Sequence, residues 1–403
     1  MRSNQPCWCA LPVLLFLVSP GANADQADAL NFFVGTSAVH DENIFRLSPG
    51  VSAQGIFGSD QRSDNIYTTF IGGSLDKLIG RQRLKMDATL NNVRFEHFSQ
   101  LNNNGGNLGA SLYWTLTDDL TGSLDKSRTR AMPGYRDQRT PVKNMQTVDN
   151  EFFTADLRVQ PSWHLEGVVN QISSSNSAQV NQTTNSTMDA YSLGVRYTPL
   201  SGNYIGLKNT WSKGQYPNFQ FVAGSLVDNG FNQDDAALEA GWTLNGISKI
   251  SAVLAHTERT HRNVPERNFS GWTGNFSWDW ALTGKLFMVT RIRREIGAQN
   301  DLLASYALTE AYSLTPTWTP TAKTSLRLNF EQAKRKFLGD PVAALNSLPK
   351  RNDTQKTLSL TATYQASQSL VLSLSATKET RDSNYANYSY KDNILMANAQ
   401  FNF

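Results

Sequence analysis

The chain has 403 residues, of which 39% are hydrophobic, 18% charged and 10% aromatic, and its formal net charge is +3. It contains no run of about 18 apolar residues, which excludes a helical membrane protein. A membrane β-barrel is not excluded by the mean hydropathy of −0.41, because apolar and polar residues alternate along its strands and cancel in any average. The basic residues nowhere form a run of five or more, which argues against a nucleic-acid-binding arm.

The N-terminus has the pattern of a secretory signal peptide. A positively charged start precedes an apolar stretch over residues 10–18, and the small residues Ala22 and Ala24 fit a cleavage site. We therefore predict that residues 1–24 are removed by cleavage near Ala24 and that residues 25–403 form one domain. A short anchor helix is the alternative, but the apolar stretch is too short to span a bilayer.

From residue 31 onward the dominant period is two. Apolar residues at Leu326, Leu328 and Phe330 alternate with polar ones, and the same alternation recurs over 358–364 and 370–377. Strict alternation is typical of strands with one apolar and one polar face. No stretch of comparable length has a helical stripe, so we predict very little helix.

Short turns and longer polar connections separate these strands. Short turns are predicted at 78–80, 114–118, 161–162, 197–202, 242–246, 280–284, 318–321 and 364–367, most of them led by a Trp or Tyr. Longer connections are predicted at 46–64, 131–148, 175–186, 215–231 and 337–352, with shorter ones near 98–105, 259–267, 296–300 and 381–388. Short turns at one end, longer loops at the other and aromatics at a fixed depth are typical of an outer-membrane barrel. A soluble β-sandwich or propeller is the alternative, but it needs no aromatic at the same end of strand after strand.

The last residues add a further barrel feature. Alternate residues from Leu395 to Phe403 share one face, and a final Phe403 with Phe401 two positions earlier resembles the terminal signal that outer-membrane barrels present to the barrel assembly machinery. Eight turns join sixteen strands, and a first strand near 31–45 and a last near 389–403 make eighteen. Sixteen strands remain the alternative if the turn near 79 or 161 is misassigned. We predict an all-β, transmembrane, antiparallel up-and-down barrel, wide enough to hold an aqueous lumen.

The apolar side chains of each strand determine which alternate residues face the lumen. With Leu84, Met86 and Leu90 outward, their charged neighbours point inward, with Asp156 and Glu166 as acidic counterparts elsewhere. The predicted lumen-lining residues are Arg81, Arg83, Lys85, Asp87, Arg158, Arg196, Arg291, Arg293, Arg327 and Glu331. Such residues either filter solutes by charge or pair with one another to hold the wall in shape. Whether loops such as 46–64 or 131–148 plug the lumen stays open.

The sequence offers no catalytic or metal-binding pattern. Cys7 and Cys9 both precede the cleavage point, so the mature chain has no thiol for a disulfide, a thiolate metal site or a nucleophile. None of the five histidines belongs to an HExxH pattern, and no GxSxG motif is present. We predict no enzyme activity, no metal and no cofactor.

Residues 31–125 carry a more specific pattern. The motifs are Asn31 to Gly35, Asp41 to Leu47, Gly80 to Leu84, Val93 to Phe95, Gly105 to Asn107 and Tyr113 to Leu116. Their order resembles that of EpsL-type outer-membrane proteins of exosortase-associated exopolysaccharide clusters and of related β-barrel porin families. The resemblance implies a barrel within a polysaccharide synthesis and export system, and it brings no catalytic residues.

The prediction is therefore an outer-membrane barrel of a Gram-negative cell that serves exopolysaccharide biosynthesis or export as a passive conduit or scaffold. Its partners would be outer-membrane lipid, the assembly machinery, the exopolysaccharide and periplasmic export components, with no nucleic acid. A general or sugar-selective diffusion porin is the first alternative, and an outer-membrane enzyme or an adhesin is a further one. The glycan or solute, the direction of transport and the oligomeric state stay open.

Overall fold

The computed structural model describes residues 30–137, 141–222, 225–298, 306–338 and 349–403. The predicted signal peptide, 1–24, and its cleavage point lie outside these residues and stay predictions. Among the described residues, no helix is long and apolar enough to cross a membrane.

Within these ranges, eighteen long strands form one closed antiparallel barrel. They are β1 (Leu30–Asp41), β2 (Asp64–Ile79), β3 (Gln82–Phe95), β4 (Asn103–Thr115), β5 (Leu120–Ala131), β6 (Gln146–Gln160), β7 (Trp163–Asn176), β8 (Ser186–Tyr197), β9 (Tyr204–Gln215), β12 (Phe231–Leu244), β13 (Ser248–His261), β14 (Phe269–Ala281), β15 (Leu286–Ala298), β16 (Tyr306–Thr321), β17 (Thr324–Leu338), β18 (Asn352–Gln365), β19 (Leu370–Ser383) and β20 (Tyr390–Asn402). Two short strands, β10 (Gln220–Val222) and β11 (Ser225–Val227), form a hairpin between β9 and β12. Each long strand pairs with the next, and β20 pairs with β1 to close the ring.

The predicted strand count and the pattern of connections are confirmed. Connections of two to six residues alternate with connections of six or more residues around the ring, so one end of the barrel carries the short turns and the other the loops. The turns at 80–81 and 161–162 are both present, which settles eighteen strands over sixteen. Helix is limited, in the described ranges, to α1 (Ala53–Phe57) and to four 3-10 segments: Ser99–Leu101, Gln179–Thr184, Pro265–Arg267 and Ala386–Tyr388.

The first strand is shorter than predicted. It ends at Asp41 rather than near residue 45, because the Asp41 carboxylate accepts the Asn43 amide and Arg46 takes a left-handed backbone with φ of 54°. The apolar residues Ile44 and Phe45, which look like a continuing strand, instead pack into a loop core.

The outer face of the barrel is apolar along its middle and carries aromatic side chains near both ends. Aromatics near the short turns are Trp163, Trp242, Trp318, Tyr364, Phe401 and Phe403, and those toward the loops are Tyr67, Trp211, Trp272 and Tyr312. Phe401 and Phe403 contact each other with ring centroids 5.0 Å apart, and the Phe403 amide donates to the Phe32 carbonyl at 2.9 Å. The C-terminal aromatics therefore lie at the seam where β20 meets β1.

The loops form a small hydrophobic core at their end of the barrel. Its buried members come from the β1–β2, β3–β4 and β5–β6 connections and adjoining strand ends: Ile44, Phe45, Leu47, Ala53, Phe95, Phe98, Leu101 and Tyr135. The Phe45 ring lies 4.3 Å from Phe57, 4.8 Å from Phe98 and 4.6 Å from Tyr135. Burying such a side chain stabilises the folded state by roughly 1.5–3 kcal/mol, so three loops are held together as one packed body.

Candidate functional site: a loop across the lumen

The connection between β5 and β6, residues 132–145, enters the interior of the barrel with its described residues 132–137. The Arg136 Nε atom lies 2.9 Å from the Glu379 Oε1 atom on β19, and the Asp137 carboxylate lies 3.0 Å from Arg381 Nη1 and 3.4 Å from Arg335 Nη1. Five strands, β20 and β1 to β4, separate β19 from β5 around the ring. The loop reaches β19 through the interior, so the wall face that it meets is the inner face.

This inner face and the loops share a cluster of opposite charges, named here the brace cluster. Its arginines are Arg46, Arg136, Arg335, Arg351 and Arg381, and its acids are Asp41, Asp137, Asp353, Glu379 and Asp392. Asp353, Glu379 and Asp392 are only 2% exposed, and Arg381 only 1%. Because removing one partner of a buried ion pair costs about 3–5 kcal/mol, the cluster fixes the loop against the wall.

Arg381 is the centre of this cluster. Its guanidinium pairs with Asp137, donates from Nε to the Tyr388 carbonyl at 2.9 Å and also bonds the Arg136 carbonyl. It lies over the Tyr390 ring at 4.7 Å, and the Tyr390 hydroxyl donates to Glu379. One side chain of the wall therefore binds both the backbone and a carboxylate of the crossing loop.

The neighbours of Arg136 and Asp137 shift the pKa values of both loop side chains. Burial alone would raise the pKa of the Asp137 carboxyl, but Arg335, Arg381, Arg136 and Arg351 outweigh it and lower that pKa to about 2. Burial opposes the charge of Arg136 as well, yet Glu379 and Tyr390 raise the pKa of its guanidinium above the usual value. Both groups of the loop therefore stay charged across the physiological pH range.

The β1–β2 loop is anchored next to the same cluster. Arg46 Nη1 lies 3.0 Å from Asp41 on β1 and 3.0 Å from Asp392 on β20. The Asn43 side chain accepts the Leu47 amide and donates to the Lys391 carbonyl, which fixes the turn that presents Arg46. Two loops thus narrow the lumen from neighbouring positions at the loop end of the barrel.

A second buried cluster lies at the loop end of β12 to β16. Arg259 is 2% exposed, donates to Gln233 at 2.8 Å and lies 4.0 Å from the Phe231 ring. The buried Arg267 donates to Asn229 in the neighbouring loop. The loop end is therefore lined by arginine contacts on more than one side.

Toward the short turns, the strand registers place most of the predicted residues on the inner face, where they form ion pairs. Arg83 Nε lies 2.7 Å from Asp76, and Lys85 lies 3.5 Å from the same carboxylate. The remaining pairs and contacts are Arg158 with Asp119 (2.5 Å), Arg196 with Asp156 (2.5 Å) and with Glu166, Arg293 with Glu331 (3.1 Å), and Asp87 accepting from Asn107 (3.0 Å). These contacts fit the interpretation in which wall charges support one another.

Arg291 and Arg327 differ from the rest. Both are exposed on the inner face of β15 and β17, and neither has a carboxylate within 4.0 Å among the described residues. Arg327 Nε donates to the Thr317 hydroxyl at 3.4 Å. These two arginines are therefore the predicted residues best placed to act on a passing solute.

The prediction for Arg81 needs correction. β2 ends at Ile79, and Gly80 with φ of 61° turns the chain, so Arg81 lies in the turn and not on the wall. Its guanidinium pairs with Asp118 in the neighbouring short turn. The alternation of inward and outward residues along β3 includes Arg83, but it does not reach Arg81 because that residue lies in the turn.

Acidic and basic side chains of the inner face are unevenly distributed around the ring. On β15 to β19 the described inner face and its margin carry Arg291, Arg293, Arg327, Arg335, Arg351 and Arg381 against Glu295, Glu331, Asp353 and Glu379. On β1 to β8 the acids Asp41, Asp64, Asp76, Asp87, Asp125, Asp156 and Glu166 outnumber Arg83, Lys85, Arg158 and Arg196. A solute in the lumen would therefore experience a field directed across it.

The sequence interpretation missed the brace cluster, although it raised 131–148 as a segment that could enter the lumen. Arg136 and Asp137 lie in a loop, where no periodicity assigns a direction. The wall half of the cluster could have been predicted, because alternation along β17 and β19 alone puts Arg335, Glu379 and Arg381 on the inner face.

Comparison with known proteins places the chain by its fold alone. The structure is similar to that of Pseudomonas aeruginosa OccK9 (OpdG), with a TM-score of 0.50 and 11% identity over 93% of this chain and 98% of that one. It is also similar to Acinetobacter baumannii OccAB3, with a TM-score of 0.50 and 10% identity over 93% and 99% of the two chains. No protein-family model and no curated protein matches the sequence. The resemblance to EpsL-type proteins therefore rests on the motifs of residues 31–125.

Proposed function

We propose that this protein is a passive channel of the Gram-negative outer membrane for small, polar solutes, with its selectivity set at the loop across the lumen. The observation that carries the proposal is the attachment of Arg136 and Asp137 to the opposite wall. A fixed loop narrows the path for solutes while the barrel around it stays intact.

The outer surface supports a membrane location. Leucines exposed along the middle of the outer face, such as Leu207 (66%) and Leu374 (62%), lie between the two sets of aromatic side chains. Exposed apolar strands bounded by aromatics are typical of barrels embedded in lipid. The fold similarity to OccK9 and OccAB3 agrees with a barrel of this architecture.

The charge pattern supports solutes that carry charge themselves. Inner-face arginines in excess on β15 to β19 oppose inner-face acids in excess on β1 to β8. A transverse field orients a dipolar solute and discriminates between anions and cations. A long flexible polymer would have to displace the brace cluster, so we favour diffusion of small solutes over export of an intact exopolysaccharide chain.

Single-channel recording in planar bilayers tests this proposal. The wild-type protein should show small, steady conductance, and the double variant Arg136→Ala, Asp137→Ala should show a several-fold larger one because the loop loses its anchors. The variant Lys126→Ala, Glu151→Ala, which removes an ion pair on the outer face, is the matched control and should conduct as the wild type does. Absence of any conductance in wild type and variant alike would contradict the proposal.

The role in exopolysaccharide export, with periplasmic export components as partners, is a separate prediction from the resemblance. Deleting the gene and measuring secreted polysaccharide distinguishes it from solute diffusion. A normal polysaccharide yield together with altered uptake of small solutes would leave diffusion as the function.

A further inference from the structure

We propose that the outer face of β17 to β20 binds the phosphate groups of a phosphorylated glycolipid in the outer leaflet. The site is formed by four exposed lysines, named here the lysine face: Lys334, Lys356, Lys378 and Lys391. The proposal depends on the outer-membrane location given under the proposed function, but not on channel activity.

The strand registers bring these lysines together. Lys356 and Lys391 lie on either side of Thr380, so two inter-strand spacings, about 10 Å, separate their Cα atoms. Lys378 is two residues from Thr380 on the same face, and Lys334 is two residues from Gln332, the partner of Lys356 on β17. The four side chains thus form one continuous patch on adjacent strands.

The lysine face carries a local excess of positive charge. Among the described residues, no carboxylate lies within 4.0 Å of any of its four ammonium groups. Asp382 shares this outer face without pairing to them, and Glu310 on β16, the register partner of Lys334, is engaged instead by Arg294 and, at 4.0 Å, by Lys336. Like charges on neighbouring strands repel, so a bound external anion would stabilise the patch.

On the opposite side of the barrel, the outer face does contain ion-paired cations. On the outer face of β5 and β6, Lys126 lies 2.6 Å from Glu151 and Arg128 lies 2.6 Å from Asp149. Lys126 and Arg128 are therefore paired within the protein, whereas the four cations of the lysine face are left for a partner.

The position of the patch points to a lipid rather than to a free anion. Lys378 pairs in register with Leu358, whose side chain is 45% exposed on the outer face, and Leu395 (55%) and Leu360 (50%) follow toward the short turns. Ammonium groups directly above an exposed apolar surface match a molecule with phosphate above acyl chains. Lysine stems can lie along the apolar surface while the charged ends reach the headgroup.

Lipid retention by the full-length folded protein tests the proposal. The purified barrel is equilibrated with mixed micelles of detergent and bisphosphorylated lipid A, and bound lipid is counted by native mass spectrometry. We expect retention by the wild type, about tenfold less retention of enzymatically dephosphorylated lipid A, and a similar loss in the quadruple Lys→Gln variant at 334, 356, 378 and 391. The quadruple Lys→Arg variant should retain the lipid, which separates charge from a change in folding.

Two controls make the result decisive. The variant Lys126→Gln, Arg128→Gln, Arg130→Gln, Lys213→Gln removes four outer-face cations elsewhere and should retain lipid A as the wild type does. Equal retention by the Lys→Gln variant of the lysine face, or full displacement of lipid A by millimolar inorganic phosphate, would overturn the proposal. Retention without any bilayer conductance would uphold the lipid site while contradicting the channel.

Discussion

At the scale of single residues, the charged side chains of the lumen differ in whether they form ion pairs. Asp137 is surrounded by arginines of the wall and of its own loop, whereas Arg291 and Arg327 point into the interior without a carboxylate in ion-pair range among the described residues. In the proposed channel, we expect a paired charge to hold structure and an unpaired one to act on solutes. The two kinds of residue therefore call for different tests.

Replacing Asp137 by Asn should release the crossing loop. The change leaves Arg335 and Arg381 without their carboxylate, and breaking a buried pair costs about 3–5 kcal/mol. We expect hydrogen exchange of the amides at 134–137 to accelerate by about a hundredfold or more, which corresponds to that energy. Asp382→Asn, on the outer face, is the control and should leave these amides protected; unchanged exchange in Asp137→Asn would refute the anchoring role.

The same carboxyl predicts how the loop responds to acid. The folded-state pKa of Asp137 is lowered to about 2, below an ordinary value of about 3.9 for aspartate. A lowered pKa stabilises the docked loop fully above the ordinary value, and this contribution is lost as the pH falls toward 2. The rise in conductance that depends on Asp137, measured as the difference between the wild type and Asp137→Asn, should therefore appear only below about pH 4. An opening transition centred near pH 6 would show that another group controls the loop.

At the scale of elements, turns and the closing strand determine whether the barrel assembles. The β12–β13 turn has Asn245 and Gly246 with φ of 42° and 72°, the backbone of the tight hairpin turns that favour Asn-Gly. Strand β20 closes the ring against β1 and carries the terminal aromatics on its outer face. Neither feature contributes to the lumen, so their variants should affect assembly and stability rather than selectivity.

The Gly246→Ala variant should be less stable than the wild type. A side chain at positive φ costs about 1–2 kcal/mol, although nothing lies within 4 Å of the new Cβ. Urea unfolding of the barrel in vesicles measures the difference. Gly284→Ala, also in a short turn and also open to solvent but without positive φ, is the control and should be close to neutral. Equal urea-unfolding midpoints for the two variants would show that a side chain at residue 246 does not strain the turn backbone.

Loss of the terminal aromatics should impair membrane assembly. Replacing both Phe401 and Phe403 by Ala removes the aromatic contact at the β20–β1 seam and the predicted assembly signal. We expect a several-fold lower amount of heat-modifiable barrel in outer-membrane fractions. Asn402→Ala, which changes the inward residue between them, should assemble normally. Wild-type levels of the double variant would reject the signal.

At the scale of the whole molecule, closure of eighteen strands brings distant segments to one place. Residues 136 and 379 are 243 positions apart in the chain, and an ion pair joins them across the lumen. The same closure sets inner-face arginines of β15 to β19 opposite inner-face acids of β1 to β8. In the proposed channel, we therefore expect the wall charges of the whole ring to contribute to selectivity beside the crossing loop.

Removing the unpaired arginines should change ion selectivity more than removing the paired ones. For Arg291→Gln with Arg327→Gln, we expect the anion-to-cation permeability ratio to fall by about two- to fivefold, in line with the roughly 1 kcal/mol between unit charges 4 Å apart in water. Arg83→Gln with Lys85→Gln, whose charges Asp76 already offsets, should change it less. Reversal potentials in a salt gradient measure both variants. An unchanged ratio in the first variant would leave these arginines with a structural role only.

The sequence by itself determined the fold class, the eighteen strands and the inner or outer direction of most wall side chains, because alternation and turn chemistry are local. It located every long connection, but it misplaced Arg81 and extended the first strand over Ile44 and Phe45, where a turn or a loop core overrides the period. Only the tertiary structure decided that residues 132–137 of the β5–β6 loop reach into the lumen and which wall charges they meet. It also decided that four lysines of separate strands share one unneutralised patch. Both depend on strand register and ring closure, which relate residues hundreds of positions apart and leave no periodic trace in the chain.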